Sequence, residues 1–381
     1  MSRRFRLSAR LAVVMTLVPV LVLGALVAGC ARRGGKPIRI AVAAPLTGSM
    51  AVVGQQFVDG AKLAIDEVNA QGGINGRKVE LVTQDDRNDP KEAASIAQKL
   101  SLDKDLYGVL GGYSSSASFA SIPIYEKARI VEITPSASHP KLPEVSKYMF
   151  RMWTGIDVYA PQLADFAVTK RGLKKLAVIY VNNDFGKANR DYFVQKAKSL
   201  GATIVGEETF LDGDKDFKTQ LTKIKAARPD ALVIISYYVE GALIAQQART
   251  AGLTVQIVST GTFMEPEFLK LAGAAAEGIF FNTEFHPDDP RPTVQDFIKK
   301  FKGAFPGKDP APYHATSYDA TAMLLQVLKQ VNLDRSKVAE ALANIQFSGA
   351  EGPISWRAGK GIVKQNIFVE IRNGKFVLVT Q

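Results

Sequence analysis

The chain is poor in the residues on which most catalysis and cross-linking depend. It has one cysteine, Cys30, in 381 residues, so no internal disulfide can form. Its three histidines, His139, His286 and His314, stand far apart and in no metal-ligand spacing. Serines are plentiful, but without a histidine base they do not make a triad. There is no Gly-x-Ser-x-Gly elbow and no glycine-rich phosphate loop ending in Lys-Ser/Thr. These absences make an enzyme the least supported class, and no cofactor or metal is expected. Low-complexity tracts are also lacking. A hydrophobic content of 46% against 22% charged residues is that of a folded chain, and the length suits two domains.

Acidic residues are missing from the first ten positions, where Arg3, Arg4, Arg6 and Arg10 precede an apolar stretch over residues 11–28. Val27-Ala28-Gly29-Cys30 follows. Basic, apolar and small-residue regions in that order form a secretory signal. The small pair directly before the sole cysteine resembles a bacterial lipobox, in which the cysteine is lipidated and becomes the new N-terminus. About 18 apolar residues can also just cross a bilayer; the Ala-Gly-Cys ending favours the lipoprotein reading. Residues 1–29 are therefore expected to be a signal peptide, with general secretion as the default over a twin-arginine route. Residues 30–37 are expected to be a tether from a lipidated Cys30 on the outer face of a membrane. Without the four arginines the chain carries 44 basic and 37 acidic residues, so its formal charge falls from +11 to +7. What remains is spread over helix faces such as Lys174–Lys175, with no basic-aromatic cluster, which argues against nucleic acid as a partner.

The body alternates apolar strands with amphipathic helices. Ile38–Ala44, Lys78–Thr83, Tyr107–Gly111, Ile130–Thr134 and Tyr148–Met152 read as one series of strands. Leu176–Tyr180, Thr203–Phe210, Ala231–Ser236, Val255–Ser259 and Gly278–Asn282 read as a second. Intervening helices run over Phe57–Val68, Asp89–Leu102, Ser115–Lys127, Gly186–Leu200, Asp216–Ala227 and Glu240–Ala251. Strands joined by helical crossovers build parallel sheets covered on both faces, so an α/β fold with two doubly wound lobes is expected. The remaining elements are the helices Val294–Ala304, Pro312–Val331 and Lys337–Ile345, and a hairpin over Ile367–Ile371 and Lys375–Val379 about Asn373-Gly374. They are too few for a third lobe and must complete the first two.

In open α/β sheets, ligands bind beyond the carboxyl ends of the strands. Gly111-Gly112-Tyr113-Ser114-Ser115-Ser116 occupies such an end and opens a helix. Three hydroxyls and free backbone N–H groups there suit a carboxylate or phosphate, although a plain N-cap serine would explain part of the pattern. Thr134-Pro135-Ser136-Ala137-Ser138 is a second hydroxyl-rich bend. The second series offers Phe185 and Tyr237-Tyr238 at equivalent ends, the makings of an apolar small-molecule pocket with a few polar groups.

Many of these residues fall in a known pattern: Ala44-Pro45-Leu46-Thr47-Gly48, Gly72-Gly73-Ile74-Asn75-Gly76, Asp89-Pro90, Ser114-Ser115-Ser116, Ile133-Thr134-Pro135, Phe185-Gly186, Ala248-Arg249-Thr250-Ala251-Gly252 and Tyr318-Asp319-Ala320. From about Ile38 onward the chain resembles the leucine/isoleucine/valine-binding proteins of ABC importers, the type I periplasmic binding fold. The resemblance implies two lobes, 38–155 with 284–365 and 156–283 with 366–381, joined by crossovers near Gly155, Glu284 and Asn366 and closing by a hinge. It implies a branched-chain amino acid or related small carboxylate as ligand, permease subunits as partners, a monomer and no catalysis. It further implies that Ser114 and Ser138 hold the ligand carboxylate, that the Ser136 carbonyl helps hold an α-ammonium, and that Tyr237 closes over the ligand, with Tyr113, Ser115, Ala137 and Phe185 around them. One position departs from the pattern. Gly261 stands where amino-acid binders carry the glutamate that neutralises the ammonium, so either Asp184, Glu240, Glu265 or Glu284 substitutes or the ligand has no amine. Val53 stands where relatives often carry an aromatic. The alternatives are a binder of amine-free acids or amides and a sensory ligand-binding subunit.

Overall fold

The computed structural model describes residues 35–356, 361–362 and 364–379. The export signal and Cys30 lie outside the described residues. The first strands, β1 (Ile38–Ala44), β2 (Val79–Asp85), β3 (Leu106–Gly111), β4 (Glu132–Thr134) and β5 (Met149–Arg151), form a parallel sheet in the order β2-β1-β3-β4-β5. Helices α1 (Ala51–Ala70), α2 (Pro90–Ser101) and α3 (Ser115–Ala128) are its crossovers, and the short α4 (Leu142–Val145) precedes β5. Local chemistry sets the helix starts. Asp89 accepts from the N–H groups of Lys91 and Glu92 at 2.7 and 3.1 Å, with Pro90 at the first helical position.

The second sheet begins after α5 (Ile156–Asp165), which continues through one π-helical turn, Phe166–Lys170. Strands β6 (Lys175–Val181), β7 (Thr203–Phe210), β8 (Ala231–Ile235), β9 (Gln256–Ser259) and β10 (Phe280–Thr283) are parallel. They alternate with α6 (Asp184–Ser199), α7 (Lys218–Ala226), α8 (Tyr238–Thr250) and α9 (Pro266–Ala272). The chain then runs through α10 (Pro292–Ala304), α11 (Pro312–Gln330) and α12 (Val338–Ala343), and a small hairpin, β11 (Gln346–Gly349) with β12 (Gly352–Ser355). It ends in β13 (Ile367–Arg372) and β14 (Lys375–Val379), which extend the second sheet antiparallel in the order β14-β13-β10-β9-β8-β6-β7. Asn373 and Gly374, both with positive φ, make the β13–β14 turn.

This is the expected α/β fold with two parallel-sheet lobes, modified by that antiparallel ribbon. Several elements were not expected, among them the short helices α4 and α9. Helix α5 buries Ile156, Tyr159, Ala160, Leu163 and Ala164, a clear helical spacing that Pro161 interrupts to the eye. The β11–β12 hairpin has few apolar residues and is set by its place against the helices of the first lobe. Helix α11 lies on α1 so closely that a Cβ at Gly60 would come within 2.4 Å of the His314 carbonyl.

A buried ionic node ties together three stretches that are distant in the chain, at Thr154, Glu284 and Lys364. The Thr154 N–H donates to Glu284 Oε1 at 2.7 Å, and the Lys364 N–H donates to Thr154 Oγ1 at 2.9 Å. Lys364 Nζ pairs with Glu351 and lies 3.5 Å from Glu284 Oε2; all three side chains are buried.

Candidate functional site

Both sheets reverse their direction of winding beside the first-laid strand, between β1 and β3 in one and between β6 and β8 in the other, and residues just beyond the carboxyl ends of these strands meet, Tyr113 with Tyr237 and Ser116 with Asp184. The loops after β3 and β4 bring in Tyr113–Ser115 and Ser136–Ser138. The loops after β6, β8 and β9 bring in Phe185, Tyr237 and Gly261. Ser114 is the N-cap of α3, its Oγ accepting from the Ala117 N–H at 3.3 Å. Ser115, in the first turn, is buried and its Oγ has no hydrogen-bond partner among the described residues. Such an atom at the positive end of a helix is suited to an anionic ligand.

A row of buried rings crosses between the lobes. Phe185 stacks on Tyr237 at 5.4 Å between centroids, Tyr237 meets Tyr113 at 5.3 Å, Tyr113 meets Tyr313 at 5.9 Å, and Tyr313 meets Trp153 at 5.4 Å. The Tyr237 hydroxyl reaches Ser114 and the Asn183 amide, which donates to it at 3.3 Å. Burial raises the Tyr237, Tyr113 and Tyr313 phenols well above their ordinary range, so all stay protonated. Ser138 Oγ lies 3.2 Å from the Tyr159 hydroxyl, and its carbonyl accepts from Arg151 Nη1 at 2.9 Å, which fixes the bend beside the first link between lobes. Ser136 Oγ donates to the Tyr113 carbonyl at 2.7 Å, joining the two hydroxyl-rich loops.

Against the rings lies a small cavity. Ser136 and Ser138 line it from one lobe, and Phe185, Gly261 and Asn282 from the other. Tyr113 and Tyr237 stand in the ring wall, and Ser114 touches Tyr237. Ala137 does not reach the cavity. It packs with Ile122, Leu142 and Met149, while its N–H donates to Thr134 Oγ1 at 3.0 Å. Val53 is fully buried in the core. Trp153, Tyr159, Thr260, Thr262, Asn282 and Tyr313 also line the cavity and were not singled out in the sequence. Trp153 is one of only two tryptophans, a usable signal. Tyr313 arrives from α11, far along the chain, and carries no local one.

Gly261 is tightly held. A Cβ there would meet the Asn282 carbonyl oxygen at 2.8 Å and the Trp153 ring at 3.4 Å, so the indole and backbone fill the space a side chain would need. None of the four acids considered as substitutes lines the cavity. Asp184 is exposed and accepts from Ser116 Oγ at 2.6 Å across the cleft. Glu240 accepts from the Gly213 N–H at 3.2 Å, Glu284 belongs to the ionic node, and Glu265 accepts from Gln56 Nε2 at 2.6 Å. Burial pushes Glu265 up to about 8. Together with a bond from the Tyr238 hydroxyl to the Ser49 carbonyl at 2.6 Å, the Ser116–Asp184 and Gln56–Glu265 contacts stitch the lobes shut.

Two facing α/β lobes with hydroxyls, aromatic rings and a helix N-terminus between them define a small-molecule binding protein rather than an enzyme. The chain belongs to the Periplasmic binding protein family, whose pattern matches residues 37–375, and it is a solute-binding protein. It is 31% identical to the Leu/Ile/Val-binding protein of Citrobacter freundii, over 89% of this chain and 93% of that one. Its fold matches the leucine-binding protein of Thermotoga maritima with a TM-score of 0.84 at 29% identity, covering 90% of this chain and 98% of the other. The branched-chain amino acid transporter substrate-binding protein of Streptococcus pneumoniae, solved with isoleucine, gives the same TM-score of 0.84 at 29% identity, covering 90% and 99%. The family's place is periplasmic or otherwise outside the cytoplasm.

Proposed function

We propose that this protein is the lipid-anchored receptor of an ABC importer and closes its lobes on a branched-chain amino acid or a related small carboxylate. The observation that carries the reading is the Ser115 hydroxyl, buried and without a partner among the described residues, beside the Ser114 cap at the N-terminus of α3 and close in the chain to Tyr113, whose ring meets Tyr237 of the other lobe. In this reading Ser114, Ser115 and Ser138 hold the carboxylate, and Tyr237 and Phe185 cover it. The lobes comprise 38–155 with 284–365 and 156–283 with 366–381, and they hinge near Gly155, Glu284 and Asn366. Cys30 carries the lipid, and the permease subunits receive the closed form. The binding names of the relatives, Leu/Ile/Val and isoleucine, support the ligand class.

A second reading has its own support. Among the described residues no carboxylate lines the cavity, and Gly261 has no room for one, which favours an amine-free acid or an amide. The test is a thermal-shift and calorimetric screen of residues 31–381 against L-amino acids, their des-amino and hydroxy analogues, amides and aromatic acids. Bound ligand raises the melting temperature by mass action. Failure of every carboxylate to bind would overturn the proposal.

A further inference from the structure

Asn282, on β10, is 2% exposed and lines the cavity. Its Nδ2 donates to the Tyr159 carbonyl at 2.9 Å. A carbonyl can only accept, so this bond fixes which way the amide is turned. The other end, Oδ1, is buried and has no donor among the described residues. An unmade buried acceptor is costly, and a ligand that supplies an N–H or O–H removes that cost on binding. The surroundings define what kind of donor. An ammonium needs a counter-charge when taken out of water. Glu284 is already paired with Lys364, Asp184 is held outside by Ser116, and Glu265 is bound to Gln56 behind the ring wall, where burial keeps it uncharged at neutral pH. The cavity lining is hydroxyl, amide and ring.

We infer that Asn282 is the specificity-determining residue of the cleft, and that its Oδ1 selects a small carboxylate bearing a neutral hydrogen-bond donor, such as an α-hydroxyl, over one bearing an α-ammonium. This rests on the carboxylate-binding reading above and names the second functional group of the ligand. The carboxylate sits at the hydroxyls and N-terminus of α3, and the donor points to the β10 side of the cleft.

The test uses two matched sets in calorimetry with the mature chain: leucine, leucic acid and isocaproic acid, then phenylglycine, mandelic acid and phenylacetic acid. In at least one set the hydroxy acid should bind about tenfold more tightly than both the amino acid and the acid lacking the donor, the scale of one hydrogen bond to a buried acceptor. Asn282→Ala should erase the advantage of the hydroxy acid while leaving the affinity of the donor-free acid within about twofold. Asn282→Asp, which keeps the shape and supplies a charge, should invert the order in favour of the amino acid. Melting curves check that both variants fold, and the Asp variant carries the test if the Ala variant does not. Tightest binding of the amino acid by the wild type, or an unchanged order in the variants, overturns the assignment and leaves carboxylate binding standing. No binding by any of the six overturns both.

Discussion

Ser114 shows how one side chain serves two purposes at once. As the cap of α3 its hydroxyl accepts the Ala117 N–H, and loss of such a cap costs about 1 kcal/mol of stability. As a neighbour of the Tyr237 hydroxyl it stands at the lobe interface. Ser114→Ala should therefore lower both stability and carboxylate affinity, the latter by about tenfold. Ser114→Asp, which restores a cap, should recover the melting temperature but repel the carboxylate. If the Ala variant binds with unchanged affinity, the serine is a cap and nothing more. The run of three hydroxyls after Gly111-Gly112 was legible because it breaks the composition around it. The acceptor on Asn282 was not, since an asparagine ending an apolar strand looks like any other strand end until its partners are known.

At the scale of elements, the helices and strands were legible because burial imposes a period on each. Strand β7 spans Thr203–Phe210, as its alternation predicts, and β1 spans Ile38–Ala44. The misses have local causes: Pro161 inside α5, and a hairpin at β11–β12 with little hydrophobic signal. Element packing also creates a titration that the sequence conceals. Glu132 on β4 is fully enclosed by the first lobe, receives the Ser121 hydroxyl from α3 at 2.8 Å, and is pushed by burial up to about 8. Its usual value is 4.5. The folded state thus binds a proton that the unfolded chain has released between those values. Stability should fall as pH rises from 4.5 through 8, then level off. Glu132→Gln removes the ionisation and should raise unfolding free energy at pH 8, by roughly 4 kcal/mol at most, with little effect at pH 4. Urea titrations at the two pH values measure this; equal effects at both would place the contribution elsewhere.

At the scale of the molecule, closure and charge are coupled. Glu265 on one lobe meets Gln56 on the other, with the Tyr113, Tyr238 and Tyr313 phenols as its titratable neighbours. Burial, to which the Gln56 contact from the facing lobe adds, raises this carboxyl from 4.5 to about 8; on the proposed hinge motion, closing takes up a proton between those values. Ligand affinity should fall as pH rises from 6 through 8, and Glu265→Gln should flatten the profile; a wild-type affinity independent of pH over that range would refute the coupling. The ionic node is a separate device. Lys364→Met leaves Glu284 and Glu351 buried without their cation and should cost about 3–5 kcal/mol, read as a lowered melting temperature. On the proposed lipid anchor at Cys30, Cys30→Ser should release the protein from the membrane fraction, which cell fractionation detects; retention of the variant there would refute the anchor.

The sequence by itself determined the class of fold, because alternating apolar strands and amphipathic helices leave few ways to bury both faces of a sheet. It also determined the hydroxyl-rich loops, because they are continuous in the chain and fall at strand ends. The tertiary structure alone decided what faces them. Trp153, Asn282 and Tyr313 come from three distant parts of the chain and meet only in the folded molecule. It also decided the role of Gly261: the sequence offered a missing acid, and packing against Asn282 and Trp153 leaves no space for one. Contacts between neighbours in the chain can be read from spacing, whereas contacts across a cleft depend on the register of two sheets that no local pattern encodes.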